Sequence, residues 1–337
     1  MRVGPSRSRV RAAALLAVGA MSCGPRTPPA KPGPPPIPLH LEPACDLAPS
    51  AGLSWLVDAR PRAIAEIPDL IPALALVFPE ERLQAFTTAH GGVDLRQIKD
   101  LCVARYADAS LAIVHVPLDP EKVGAAFETR STQTVTRTFL APNPRVVRMT
   151  GEIDAEPQRL VLFGHESLAL ERGKPGPLRA AEAFAFGRLK KASPALQGAA
   201  LRRVAEVLGD VAPARVFAPG PFEGETARGL GGLLRAATAV GASAKWTGSG
   251  TKIAIRIVLT GAWGEDASAA AERLGAAAHV LSESAAGHLF GLHRPVEGPF
   301  VHVEPEALVL DATIDGAALA RGIHDAVDAE VVDIMRR

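Results

Sequence analysis

The sequence predicts an α+β fold with antiparallel sheets, built as two similar halves that each contain a strand, a helix, a hairpin and a second helix. Short apolar runs separated by brief turns predict the hairpins, and helix-start signals such as Asp119-Pro120 lie between them. The same order of elements returns after residue 210, which indicates an internal duplication of element order. We therefore predict a first half with a connecting helix over residues 44–209 and a second half over residues 210–337.

The first half is predicted to begin with a strand over residues 53–59. Residues 61–90 predict a helical region interrupted by Pro68, Pro72 and Pro79, because proline removes a backbone donor. The remaining predicted elements are a hairpin (101–106 and 111–116), a helix (120–127), two strands (132–140 and 145–150), a second hairpin (159–163 and 167–171) and a helical region (177–209) broken near residues 193–194.

The second half is predicted to repeat that order with fewer strands. Thr247-Gly248-Ser249-Gly250 leads into an apolar run and not into a helix, so it predicts a hairpin turn. The predicted elements are a strand (214–218), a helix (225–240), a hairpin (242–246 and 252–260), a helix (266–284), two strands (300–303 and 307–313) and a closing helix (316–332).

The first 22 residues predict a secretion signal peptide. Residues 1–11 are polar and contain four arginines, and residues 12–20 form a short apolar run. A basic segment followed by such a run is typical of exported proteins. The run is too short to cross a bilayer, which takes about 20 apolar residues.

Ala20-Met21-Ser22-Cys23 resembles the lipobox of bacterial lipoproteins, in which a small residue precedes the lipidated cysteine. Ser22 and Cys23 match the two most restrictive positions, whereas Met21 stands where a small residue is typical. The resemblance covers the N-terminal segment alone. It implies cleavage before Cys23 and at least two acyl chains, palmitate among them, on the protein. The alternatives are cleavage after Ala20 by the ordinary signal peptidase, or an uncleaved anchor.

The resemblance also implies a location in the cell envelope. Gly24, and not aspartate, follows the cysteine, which implies the outer membrane of a Gram-negative bacterium. Residues 23–43 are dense in proline and predict an extended tether without secondary structure. At about 3.1 Å per residue such a tether reaches roughly 60 Å. The membrane, contacted through the lipid, is therefore the predicted partner of the N-terminus.

Two cysteines, Cys45 and Cys102, remain if Cys23 carries lipid. Export places them in an oxidising compartment, which favours a disulfide between them. The alternative is two unpaired thiols, with Cys102 buried in an apolar run. The sequence has no C-x-x-C pair that would indicate a zinc or redox site.

The charge balance argues against a nucleic-acid partner. The whole chain carries a formal net charge of +1, and residues 1–22 hold four arginines and no acid, so their removal leaves −3. A slightly acidic protein lacks the basic excess that neutralises phosphates. We found no cofactor motif and predict no cofactor.

Two segments are candidates for ligand contact. Phe222, Glu223 and Glu225 lie in a Pro- and Gly-rich loop between a predicted strand and a predicted helix. The loop lacks the lysine of a phosphate-binding loop, so it is either a rigid recognition loop with Phe222 as its anchor or a capped tight turn. Asp58 and Arg60 end the first predicted strand and either line a cleft or form a solvated strand end.

No catalytic or metal site is predicted. His279 and Glu283 share a helical face, but a metal site needs three or four converging ligands. Neither Ser167 nor Ser249 lies in a G-x-S-x-G elbow. We therefore predict that the chain is not an enzyme, and we assign no catalytic residue.

These observations favour an exported, lipid-anchored envelope protein with a non-catalytic binding, scaffolding or assembly role. An envelope protein or a small molecule is the expected partner, in a groove between the two halves. The alternative is an exported hydrolase whose Ser/His/Asp geometry or perturbed acids become visible only in the structure. A structural lipoprotein without a specific ligand is a third alternative.

Overall fold

The computed structural model describes residues 38–140, 143–188, 193–209 and 212–335. The predicted signal peptide, Cys23 and residues 24–37 of the predicted tether lie outside these ranges. The described residues form one compact unit. None of the helices in the described ranges is both long and apolar enough to cross a membrane.

The strands of the described residues form one antiparallel sheet with helices on both of its faces, so the predicted α+β class is confirmed. The sheet order is β11-β12-β10-β9-β8-β1-β2-β3-β7-β6-β5-β4, with the strands bounded as follows: β1 (Leu53–Ala59), β2 (Asp100–Tyr106), β3 (Ala109–His115), β4 (Thr136–Phe139), β5 (Val146–Ile153), β6 (Glu156–Phe163), β7 (Ser167–Gly173), β8 (Ala214–Pro219), β9 (Ala237–Trp246), β10 (Lys252–Gly261), β11 (Glu297–Glu304) and β12 (Ala307–Asp315).

The α-helices occupy the segments between groups of strands. They are α1 (Pro61–Ala65), α2 (Ile71–Val77), α3 (Glu80–Ala89), α4 (Pro120–Arg130), α5 (Pro177–Ala185), α6 (Ala199–Leu208), α7 (Ala267–Glu283), α8 (Ala285–Leu289) and α9 (Gly316–Met335). Helix α4 begins where its start signal predicts, because the Asp119 side chain accepts hydrogen bonds from the backbone N–H groups of Glu121 and Lys122.

Strand alternation places apolar side chains on both faces of the sheet. Ile113 belongs to the core cluster that packs under α5 and α6, whereas the next residue, Val114, belongs to the cluster under α4. In the same way Val258 and Leu259 point to opposite faces, and Leu259 packs against α7. Each face is therefore covered by helices, as buried strands require.

The internal duplication is not confirmed and stays a prediction. Strands β1 and β8 pair at the middle of the sheet, and the hairpins β2–β3 and β9–β10 continue outward from them. The first half, however, contributes seven strands and the second half five, among the residues that the structure describes. In the described ranges the two halves share one sheet of twelve strands.

The predicted helix over residues 225–240 is wrong. Gly231 and Gly232 adopt positive φ angles of 67° and 83° and break the segment into short 3-10 turns. Residues 237–240 belong to β9, which continues through Gly241 to Trp246. Gly241 ends a helical pattern in the sequence, but in the structure it lies mid-strand beneath α6, where a side chain would meet Val204.

The chain joins the domain before the predicted end of the tether at Pro43. The His40 N–H donates to the Ala185 carbonyl at 2.8 Å, and Leu39 and Leu41 pack against the core cluster under α5. Residues 38–43 form a segment that we call the entry arm. The segment after it is held to β2 by a disulfide between Cys45 and Cys102, whose Cα atoms lie 5.1 Å apart.

Candidate functional site

A cleft of about 790 Å³ lies where the entry arm crosses one end of the sheet. Its walls come from three neighbouring strands and from the arm. They are formed by residues 39–42, Lys99 before β2, residues 115–117 at the end of β3, and residues 165–167 at the β6–β7 turn. We call this feature the His115 cleft.

The register of the sheet places three polar residues in a row beside this cleft. Asp100 in β2 pairs with His115 in β3, and His115 pairs with Ser167 in β7. Directly opposed residues of antiparallel strands project from the same face with Cβ atoms about 5 Å apart. Asp100, His115 and Ser167 therefore form a row across three strands.

His115 is a buried imidazole without a hydrogen-bond partner among the residues that the structure describes. The residue is 5% exposed, and neither ring nitrogen has a partner in the described part of the chain. Its Nδ1 lies 3.6 Å from Asp100 Oδ2, which is too long for a hydrogen bond. Burial lowers the pKa of His115, and the nearby carboxylates of Asp100 and Glu42 only partly oppose this effect. The ring is therefore neutral at pH 7 and offers a lone pair.

Glu42 on the entry arm brings a second carboxylate to the cleft. Its Oε1 accepts a hydrogen bond from Lys99 Nζ at 2.6 Å, and both side chains are exposed. This hydrogen bond and the lysine charge lower the pKa of Glu42 and raise that of Lys99. Both groups are charged at pH 7.

Glu42, Asp100 and His115 offer three ligand atoms within 4.8 Å of one another. Asp100 is half-buried, and its Oδ1 lies 4.0 Å from Arg60 Nε. Two carboxylates and an imidazole form a donor set that zinc and similar divalent ions accept. The residues thus fit a metal ion, although the sequence analysis predicted none.

Ser167 extends the row on the other side of His115. The residue is 1% exposed, and its hydroxyl has no hydrogen-bond partner among the described residues. A Ser/His/Asp hydrolase needs a hydrogen bond between the hydroxyl and the imidazole. That hydrogen bond is absent from the described residues, so the row has the composition of a triad without its geometry.

The predicted pair Asp58 and Arg60 is divided between two environments. Asp58 accepts hydrogen bonds from Arg215 and lies in a largely buried ion pair between β1 and β8, and it is not part of the wall of the His115 cleft. Arg60 lies beside Asp100 at the margin of the candidate site. The cleft role predicted for Asp58 therefore has no support at the His115 cleft, because Arg215 engages its carboxylate where β1 pairs with β8.

The predicted recognition loop lies away from the His115 cleft, at the far end of β8 from Arg215. Phe222 is half-buried and packs against the core cluster under α7, so it is not a free anchor. Glu225 pairs with Arg228 at 2.8 Å on the surface, and Glu223 is exposed. The structure favours the tight turn that was the alternative interpretation.

Sequence reasoning missed the His115 cleft because its residues are far apart in the chain. The predicted hairpin of residues 101–106 and 111–116 implied a four-residue turn, whereas the turn contains only Ala107 and Asp108. That difference shifts the pairing, and only the observed register sets Asp100 opposite His115. The predicted groove between the halves stays a prediction, and the His115 cleft is separate from it, because its walls lie within residues 39–167.

Comparison with known proteins shows no family for this chain. No family model matches it, and no curated protein matches it. Two solved structures of TP0453, crystal forms IV and I, are similar to it at 8% identity with TM-scores of 0.46 and 0.45. They cover 82% and 84% of this chain and 96% and 97% of their own. Similarity at this level supports no conclusion about the site.

Proposed function

We propose that this chain is an exported envelope protein, anchored by a lipid on Cys23, whose folded domain binds a ligand in the His115 cleft. His115 is the observation that carries the binding role. Its imidazole is buried on the wall of a cavity of about 790 Å³, and neither nitrogen has a partner in the described residues. A buried polar group of this kind costs free energy unless a ligand or an ordered water satisfies its hydrogen-bonding capacity.

The anchor rests on the N-terminal sequence. In this proposal residues 1–22 are removed, Cys23 carries the acyl chains, and the proline-rich residues lead from the lipid to the entry arm. Two acyl chains hold a protein firmly where one does not. Gly24 after the cysteine supports the outer membrane of a Gram-negative host as the location.

The anchor is tested by exporting the full chain in a Gram-negative host with an alkyne-tagged fatty acid. We expect label on the wild type, which fractionates with the outer membrane, and no label on Cys23→Ser. Unlabelled wild type in the soluble periplasm would contradict the anchor.

The binding role is tested by native mass spectrometry of the same full chain, purified in mild detergent without denaturation. We expect an additional non-covalent mass on the wild type and on His279→Asn, which changes an exposed histidine of α7 outside the cleft. We expect that mass to be lost in His115→Phe, whose ring fills the position without offering a lone pair. The binding role would be contradicted if none of the three proteins carried additional mass, even after incubation with envelope extract.

An exported hydrolase is the second candidate, favoured by the row of Asp100, His115 and Ser167. It requires Ser167 to become accessible and to hydrogen-bond His115 in the substrate complex. Turnover of an esterase, peptidase or glycosidase substrate by the wild type, lost in Ser167→Ala, would establish it. An inert panel would eliminate it.

A further inference from the structure

We propose that Glu42, Asp100 and His115 bind one divalent transition-metal ion of the zinc class. The inference names the ligand of the His115 cleft and therefore rests on the proposed binding role, although it does not depend on the lipid anchor. It is carried by the ligand atoms of these residues, which all lie within 4.8 Å of one another.

The spacing of two of the three atoms already suits a metal ion better than a hydrogen bond. His115 Nδ1 and Asp100 Oδ2 are 3.6 Å apart. Two ligands of a tetrahedral zinc ion, each about 2.1 Å from the metal, lie about 3.4 Å apart. The β2–β3 pair therefore holds two ligands close to their bound positions, and His115 has no competing partner in the described ranges.

Glu42 is the ligand that has to move. It lies on the entry arm, its side chain is exposed, and Lys99 is its partner. An exposed ion pair contributes little free energy, so a divalent ion displaces Lys99 at small cost. The arm cannot move far, because the disulfide from Cys45, three residues after Glu42, reaches Cys102, two residues after Asp100.

The donor set selects the class of ion. An imidazole suits zinc and its transition-metal neighbours, whereas calcium and magnesium prefer sites made of oxygen alone. Three protein ligands leave a fourth position open toward the cleft, as in zinc sites that bind water or a further ligand. Lys99 and Arg60 lie close to the carboxylates and oppose a cation, so removal of Lys99 should strengthen binding.

The test uses the full exported chain, stripped with a chelator and then titrated with Zn²⁺ against a chromophoric competitor. We expect one Zn²⁺ per wild-type chain. His115→Phe and Asp100→Asn should each weaken binding by at least about 100-fold, since even residues that only support ligands contribute 10- to 100-fold. Glu81→Gln is the matched control, because its exposed carboxylate lies on α3, outside the His115 cleft and outside the ligand set.

Lys99→Met separates a specific effect from misfolding. It is expected to tighten Zn²⁺ binding several-fold, and a misfolded protein would not bind the ion more tightly. The inference is overturned if the wild type binds no Zn²⁺, or if wild type and His115→Phe bind it equally. An organic ligand lost in His115→Phe, without any Zn²⁺ binding, would overturn the metal and leave the binding role. If the wild type binds neither an organic ligand nor Zn²⁺, both the metal site and the binding role are overturned.

Discussion

Asp58 Oδ2 accepts two hydrogen bonds from Arg215, from Nε at 3.1 Å and from Nη2 at 2.5 Å, where β1 pairs with β8 in the middle of the sheet. The side chains are 16% and 9% exposed. Removing one partner of a buried ion pair leaves an uncompensated charge, which typically costs about 3–5 kcal/mol. The Asp58–Arg215 pair therefore ties the two halves of the chain together.

Arg215→Met is expected to lower the free energy of unfolding by about 3 kcal/mol, because the Asp58 carboxylate stays buried without its partner. The double variant Asp58→Asn/Arg215→Met should lose less, since no charge is left uncompensated. Urea denaturation of the wild type, both single variants and the double variant measures the coupling. Additive losses would show that the two side chains do not interact.

The Cys45–Cys102 disulfide closes a loop with a sequence separation of 57 residues. Loop-closure entropy for that length predicts a loss of about 4 kcal/mol in Cys45→Ala/Cys102→Ala. Thermal denaturation of the wild type and the double variant checks the magnitude. Peptide mapping without reductant should recover the Cys45 and Cys102 peptides joined, and their recovery as free thiols would contradict the pairing.

His90 predicts a pH dependence outside the candidate site. Arg130 Nη1 donates to His90 Nε2 at 2.8 Å, so Nδ1 carries the ring proton and donates to the Phe86 carbonyl, also at 2.8 Å. Burial lowers the pKa of His90 below its ordinary value of 6.5, and the charge of Arg130 adds to the effect. The ring is therefore neutral in the folded protein at pH 7.

The sign of the pH effect follows from linkage. As the pH falls below 6.5, the unfolded chain binds a proton at His90 before the folded chain does, so stability decreases until the lowered pKa of the folded state is passed. Urea denaturation between pH 8 and pH 5 should show a shallower slope in His90→Gln than in the wild type. Identical slopes would exclude His90 as a contributor.

Gly241 predicts a steric cost at the contact between β9 and α6. A Cβ atom at this position would lie 2.3 Å from Val204 Cγ1 and 2.8 Å from Leu208 Cδ1. Gly241→Ala should therefore destabilise the domain by about 1–3 kcal/mol, as overpacking usually does. Adding Val204→Ala makes room and should recover part of the loss in thermal denaturation. A neutral Gly241→Ala would show that α6 shifts freely.

The elements that the sequence predicted correctly have strong local signals. Asp119-Pro120 caps and starts α4, and the predicted hairpin of residues 159–163 and 167–171 appears as β6–β7. Pro68 and Pro79 lie at the breaks between α1, α2 and α3 as expected, whereas Pro72 lies in the first turn of α2 and does not interrupt it. Each of these signals acts between residues a few positions apart, so the chain carries them before it folds.

The prediction was wrong where contacts with residues distant in the sequence decide the local conformation or the burial of a side chain. The alanine- and glycine-rich run around Gly241 resembles the end of a helix, but α6 packs on it and favours a strand. Phe222 resembles an exposed anchor in its loop, but it is half-buried against the core cluster to which α7 contributes. In both cases the partner lies tens of residues away, where periodicity carries no information about it.

By itself, the sequence determined the fold class, most helices and strands, and the prediction of export and lipid attachment at Cys23. Only the tertiary structure decided that the strands share one sheet, that Asp58 meets Arg215, and that Glu42, Asp100 and His115 converge. The physical reason is register. Shifting a strand by one residue turns every side chain to the other face, so a site assembled across strands exists only once the long-range pairing is complete.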